Sequence, residues 1–251
     1  MQALTLDRAR SKLGKRIFTN RAEREYQRNL RSVAQQIGRL IGAFTPGDPS
    51  QVPTLTDMLR RYAEALTPWA ERTAARMIED VNSRDLAMWR QAGLELRAGL
   101  QKEIREAPTG QVMKELLADQ VRLIKSLPIE AGQRVHDLTI KGLEDGTRAK
   151  EIAKEILRSG EVAASRATLI ARTEVARTAS NLTEARALSV GSTTYIWRTS
   201  GDGDVRSDHR KLNGQAFRWD QPPIADERTG ARANPGCIYN CRCYAEPVIP
   251  D

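Results

Sequence analysis

The sequence predicts a mainly α-helical body followed by a small C-terminal α+β lobe, and three observations carry that prediction. Apolar residues recur at steps of three and four through the early part of the chain. Helix breakers then punctuate it at helix-length intervals as far as residue 190. Beyond that point the composition changes: positions 190–251 hold all three cysteines, five of the eleven prolines and six of the twelve aromatic residues. At 251 residues the chain has enough length for one large or two small domains with a sizeable buried core.

Each element follows from a local pattern. Tyr26, Leu30, Val33, Ile37, Leu40 and Phe44 form a heptad seam that ends at Pro46-Gly47-Asp48-Pro49. Leu55, Leu59, Tyr62, Leu66 and Trp69 repeat the steps, with Thr67 and Pro68 marking a kink or a fresh start. Both seams are read as packing within the molecule rather than as an intermolecular coiled coil. Ser83 is placed to cap a third helix toward Ile104, closed by Pro108-Thr109-Gly110. Helices are expected at about 111–126, 128–144 and 147–158, separated by Pro128, Gly146 and Ser159-Gly160. A last long helix, about 162–189, is rich in alanine and so permits close packing.

Past Gly191 the signals turn to β structure. Thr193–Trp197 is β-branched and aromatic and reads as a strand. Gly201-Asp202-Gly203-Asp204 is a turn, with Asp204 placed to cap a helix over 205–212 and Asp202 placed to pair with Arg206. Phe217–Trp219 reads as a second strand, 220–236 as a loop, and Cys241–Val248 as a final strand.

Charge is distributed unevenly. Net charge is +8, but residues 1–40 hold ten basic and three acidic groups, leaving +1 for all the rest. Arg8, Arg10, Lys12, Lys15, Arg16, Arg21 and Arg24 make this a candidate site for an acidic partner, with double-stranded DNA ahead of a membrane surface. Phe18 and Tyr26 are the only aromatics there, so contact with phosphates is expected rather than base stacking. No apolar run nears the ~20 residues of a membrane helix. The N-terminal residues lack the apolar core of a secretory signal, and three cysteines do not make a disulfide framework, so a soluble protein made in the cytosol is expected.

The densest cluster of reactive residue types is His209 with Cys237, Cys241 and Cys243. On a strand, residues 241 and 243 share a face, and His209 with Cys237 would complete a four-ligand Cys₃His zinc site. The competing reading is a packed polar core, because His209 lies in register with Val205 and Leu212 and small thiols are ordinary buried groups. The residues favour that second reading, and any zinc would be structural. Enzymatic templates fit poorly. His209-Arg210-Lys211 lacks the glutamate of a zinc deaminase. The acids at 202, 204 and 208 do not form a calcium loop, and the glycines near 201 sit beside acids that repel phosphate.

Five motifs in a fixed order carry a resemblance. They are Ile170-Ala171-Arg172-Thr173-Glu174; Trp197-x-Thr199-x₂-Asp202; Val205-Arg206-x₂-His209-x₂-Leu212-x-Gly214; Pro235-Gly236; and Asn240-Cys241-Arg242-Cys243. Together they resemble the phage Mu F-like head morphogenesis, or minor head protein, family over about residues 110–249, while residues 1–105 share only helical character. The resemblance implies a minor head protein of a tailed bacteriophage that enters the procapsid with the portal protein and resides in the virion, in the head interior or at the portal vertex, after assembly in the host cytoplasm. It implies no catalytic role. The motif residues Glu174, Trp197, Asp202, Arg206, His209, Cys241 and Cys243 would then be structural. Part of the family carries a Cys-x₂-Cys pair where this chain has Arg206 and His209. The expected division is residues 1–109, an N-terminal helical region with the basic arm, and 110–251, the family domain, with helices over 110–190 and the lobe over 191–251. The lobe is expected to dock on the long helix, with Trp197 and Trp219 buried and Glu174 positioned to pair with Arg206 or to accept hydrogen bonds from the lobe's backbone. The alternative function is a metal-dependent enzyme acting on nucleic acid through the His/Cys lobe.

Overall fold

The computed structural model describes residues 19–45, 48–96, 104, 106–145 and 149–249. Helices α1 (Asn20–Gly42), α2 (Val52–Ala65), α3 (Thr67–Leu96), α4 (Thr109–Glu144), α5 (Ala149–Leu157) and α6 (Ser159–Ser189) are followed by β1 (Thr194–Arg198), α7 (Ser207–Leu212), β2 (Ala216–Arg218), β3 (Ile224–Asp226), β4 (Ala231–Arg232) and β5 (Tyr244–Pro247). The mainly helical body with a small α+β lobe is therefore observed. No described helix is long and apolar enough to cross a membrane.

The helices are longer than local rules imply. The expected break at Pro128 is absent: α4 runs through it. An interior proline removes one helical hydrogen bond, at a cost of roughly 3 kcal/mol, but Leu127 and Pro128 are both buried and packing offsets the loss. Ser83 caps nothing, being an exposed residue inside α3, which begins afresh at Thr67. Ser159 and Gly160, expected as a separator, form the first turn of α6. In α1 the buried face is Tyr26, Leu30, Val33, Ile37 and Ile41, while Leu40 and Phe44 are only half-buried. A straight helix repeats every 3.6 residues, so its core face drifts off a strict heptad.

Two compact units are formed, each from separated stretches of chain: 21–77 with 116–172, and 78–115 with 173–251. In the first unit, Tyr26 donates its buried hydroxyl proton to Gln120 of α4 at 2.9 Å, and Arg172 of α6 pairs with Glu23 of α1 at 3.4 Å. Gly160 of α6 approaches Gly38 of α1 so closely that a Cβ on Gly160 would stand 3.0 Å from the Gly38 Cα. Small residues permit that approach.

In the second unit the lobe and the helices share one core. Trp89 of α3 and Ala187 and Val190 near the end of α6 pack with Tyr195, Trp197, Trp219, Ala225, Cys241 and Cys243. Docking on the long helix with Trp197 and Trp219 buried is thus observed. Strand β1 lies between β2 and β5, antiparallel to both. Its alternation buries Tyr195 and Trp197. The expected loop over 220–236 contains the β3–β4 ribbon, whose connection includes Gly230 at φ 71. The final strand starts at Tyr244, so Cys241 and Cys243 precede it rather than lie on it.

Core register also hides one charged pair. Asp85 sits on the buried face of α3, four residues from both Val81 and Trp89, and Arg186 of α6 meets it. Asp85 also accepts a hydrogen bond from Thr183 at 2.7 Å, and Arg186 donates to Asn82 at 2.6 Å. Burial, partly countered by Arg186 and Thr183, pushes the Asp85 carboxyl up to about 6.

Candidate functional site

The His/Cys cluster is assembled by three short pieces of the second unit. Helix α7 carries His209, which is 2 % exposed. Its N-terminus is set by backbone: Arg206 occupies the cap position without a side-chain bond, and Asp204 does not cap it. Asp202 instead accepts the Asp204 N–H at 3.2 Å, closing the turn before the helix. The imidazole lies edge-on to Trp197, with ring centroids 5.4 Å apart. Strand β3 supplies the orienting group, for His209 Nε2–H donates to the Ala225 carbonyl at 2.9 Å. That bond leaves Nδ1 facing the sulfurs of Cys241, at 3.6 Å, and Cys243, at 3.4 Å. The Cys243 N–H in turn donates to the Cys241 sulfur at 3.4 Å.

The hydrogen-bonded Cys243 thiol, with help from His209 and against burial, holds the Cys241 thiol down to about 4. The same contact, together with burial, pushes Cys243 well above its ordinary value. Burial draws His209 down, but the hydrogen bond and charge of Cys241 outweigh it and the imidazole is raised.

Of the four residues expected around a metal, His209, Cys241 and Cys243 converge, and these are the described His, Cys, Asp and Glu residues that form such a group. Cys237 does not join them. Its thiol donates to Asn181 of α6 at 3.5 Å and is pushed up to about 11, chiefly by burial. The other histidine, His136, is exposed on α4 in the first unit. Sequence spacing puts Cys237 four residues from Cys241 but says nothing of the turn between them.

That turn is held by residues of the ordered motifs. Asn240 takes a left-handed conformation, φ 54, and its N–H donates to Thr173 of α6 at 3.0 Å. Gly236, φ 86, lets the chain pass so close to α6 that a Cβ there would meet the Ala176 carbonyl oxygen at 3.1 Å. The expected pairing of Asp202 with Arg206 is replaced: Arg242 pairs with Asp202 and Asp204, both at 3.1 Å, and Arg206 donates to the Tyr239 carbonyl at 2.7 Å. Arg206 is thereby directed to the loop ahead of Cys241 rather than to Glu174, which is buried and pairs with Arg177 at 3.7 Å. Arg242 is half-buried between the buried Cys241 and Cys243, its guanidinium on the two aspartates. Sequence reasoning missed Thr173 as the anchor of this loop, although it stands inside one of the motifs.

The basic residues divide by position. Arg21 and Arg24 are exposed on α1, as are Arg28, Arg31 and Arg39, opposite the buried seam. Arg8, Arg10, Lys12, Lys15 and Arg16 lie outside the described residues.

Comparison with known proteins finds a family match over a stretch that contains these motifs. Residues 133–246 match the family model described as phage Mu protein F like protein. A Haemophilus influenzae protein described as uncharacterized is 31% identical over 160 residues, which is 63% of this chain and 34% of that protein. A Methanocaldococcus jannaschii protein, also described as uncharacterized, is 34% identical over 117 residues, 46% of this chain and 17% of that protein. The chain thus spans about a third or less of the length of these curated relatives. No solved structure matches it. The matched stretch begins within α4, takes in α5 and α6, and ends in β5 beyond the His/Cys cluster, so residues 133–246 are similar to the phage Mu protein F-like family.

Proposed function

We propose that the protein is a minor head protein of a tailed bacteriophage that acts in head morphogenesis through the portal protein and other procapsid components. The observation that carries this reading is the family match over residues 133–246, with the ordered motifs placed at the joints of the lobe. Residues 110–251 would be the family domain and residues 1–109 the helical region that carries the basic arm. The motif side chains bind the lobe to itself and to α6, which suits an assembly part better than a turnover site. The arm, continuing into the exposed arginines of α1, supports contact with double-stranded DNA through phosphates. Exposed aliphatic side chains on the first unit, Leu143 at 60% and Leu157 at 50%, support contact with protein.

Mass spectrometry of purified procapsids and virions tests the proposal. The expected result is this chain in both, at a fixed ratio to the portal protein. Its absence from both would overturn the reading. A nuclease activity lost in His209→Ala would favour a metal-dependent enzyme on nucleic acid instead.

A further inference from the structure

We propose that His209 Nδ1, Cys241 Sγ and Cys243 Sγ bind one zinc ion, with the fourth coordination position filled by a non-protein ligand. Geometry carries the argument. With Zn–S of about 2.3 Å and Zn–N of about 2.0 Å, a tetrahedral angle sets nitrogen and sulfur ligands about 3.5 Å apart. The two Nδ1–Sγ separations are 3.6 and 3.4 Å, and all three donor atoms lie within 4.8 Å of one another.

The surroundings match as well. Metal-bound imidazoles present one nitrogen to the ion while the other N–H is fixed by a carbonyl or carboxylate. The Nε2–H bond to Ala225 does this and fixes Nδ1 as the ligating atom. The Cys243 N–H aimed at Cys241 Sγ stabilises a thiolate that a metal also requires. Two thiolates neutralise a divalent ion, so no carboxylate is needed. Sulfur and imidazole donors select zinc over calcium or magnesium, which take oxygen.

The ion would join α7 to the segment of Cys241 and Cys243, with β3 holding the imidazole. It would add to surface contacts such as Arg242 with Asp202 and Asp204 a link inside the core. Helix α7 is six residues long, β3 three, and Cys241 and Cys243 stand outside any strand. Small lobes of this kind gain from a staple. Cys237 is outside the set because its thiol is engaged by Asn181. The inference stands apart from the head-protein reading: a metal-free chain found in virions would overturn it alone.

The test uses the full chain, purified without chelator and dialysed against zinc, with cobalt(II) replacing zinc in parallel. One equivalent of zinc is expected, together with a thiolate-to-cobalt charge-transfer band and the intense visible bands of a tetrahedral ion. Cys237→Ser keeps both. His209→Ala, Cys241→Ser and Cys243→Ser each bind at least about tenfold more weakly. Where a variant fails to fold, the cobalt spectrum of the unaltered chain still decides. A chain that takes up no zinc, a cobalt spectrum without the thiolate band, or loss of metal in Cys237→Ser would each overturn the proposal.

Discussion

Replacing Arg186 with methionine removes the cation of the buried pair at little change in volume. The Asp85 side chain is fully buried and that of Arg186 is 3% exposed, so neither has water to fall back on. The substitution leaves Asp85 with Thr183 as its remaining hydrogen-bond partner and strips Asn82 of its arginine. Breaking a buried pair from one side costs about 3–5 kcal/mol, which is the loss expected at pH 7.

The pH dependence follows from the proton on Asp85. A carboxyl raised from 3.8 to about 6 on folding gives stability that is fully present below pH 4 and lost as pH rises to about 6. Each tenfold change in proton affinity is worth ~1.4 kcal/mol, so the native chain loses about 3 kcal/mol across that window from this group. Without Arg186 the carboxyl rises further. Stability of the variant then keeps falling above pH 6, by ~1.4 kcal/mol per pH unit, where this group leaves the native chain flat. Urea melts at pH 5, 7 and 8 measure both slopes. The Asp85→Asn, Arg186→Met double variant should recover at least about 1 kcal/mol at pH 7, since an amide can still accept from Thr183. A single variant that loses less than about 1 kcal/mol, or one whose loss is the same at pH 5 and 8, would refute the reasoning.

Three further outcomes follow from the packing and the charge. Gly236→Ala forces a side chain into a left-handed conformation against the Ala176 and Cys243 carbonyls and should cost about 2–3 kcal/mol in thermal or urea melts; a loss below ~0.5 kcal/mol would show that the loop moves freely. Gly142→Ala places a methyl 2.1 Å from Ile152 Cδ1 and 2.5 Å from its Cγ1, so a loss of about 1–3 kcal/mol is expected, and Ile152→Ala, which removes both atoms, should relieve the clash at the cost of its own lost packing. Deleting residues 1–18 removes Arg8, Arg10, Lys12, Lys15 and Arg16 against Asp7, a net four charges. If the arm binds DNA, the slope of log affinity against log salt should shrink by about 3–4, and an unchanged slope in filter binding would remove DNA from the arm's role.

The helical body was legible because its core faces repeat at helical steps, and the lobe because aromatic and β-branched residues cluster after 190. What failed were the inferences that let Pro128 or Ser83 bound a helix, whereas the break at Gly146 and the fresh start at Thr67 agree with the helix ends at Glu144 and Thr67. Pro128 and Ser83 look like boundaries locally, but burial along α4 and α3 outweighs them. The β3–β4 ribbon was hidden by proline and glycine, although Asp226 to Gly230 is a turn with its own hydrogen bond, Gly230 N–H to the Asp226 carbonyl at 2.9 Å. At the site, the register of His209 with Val205 and Leu212 correctly pointed inward. The partition of the cysteines was not legible, since it depends on the left-handed Asn240 and on Thr173, more than sixty residues away. The Asp85–Arg186 pair was not anticipated, and the available signal was that Asp85 occupies an apolar register position between Val81 and Trp89.

The distance along the chain between Asp85 and Arg186 also sets an order of events during synthesis. Arg186 is made 101 residues after Asp85, about 5–20 s later at roughly 5–20 residues per second. Through that interval α3 presents a carboxylate and Trp89 to the cell with neither counterion nor core. The unit built from 21–77 and 116–172 has all its residues once Arg172 has emerged, whereas the other waits for Cys241 and Cys243. A nascent chain of this protein therefore passes through a stage in which one unit is complete and the other still sticky. Chaperone capture, or slow growth at low temperature during expression, is expected to act on that interval rather than on the finished fold.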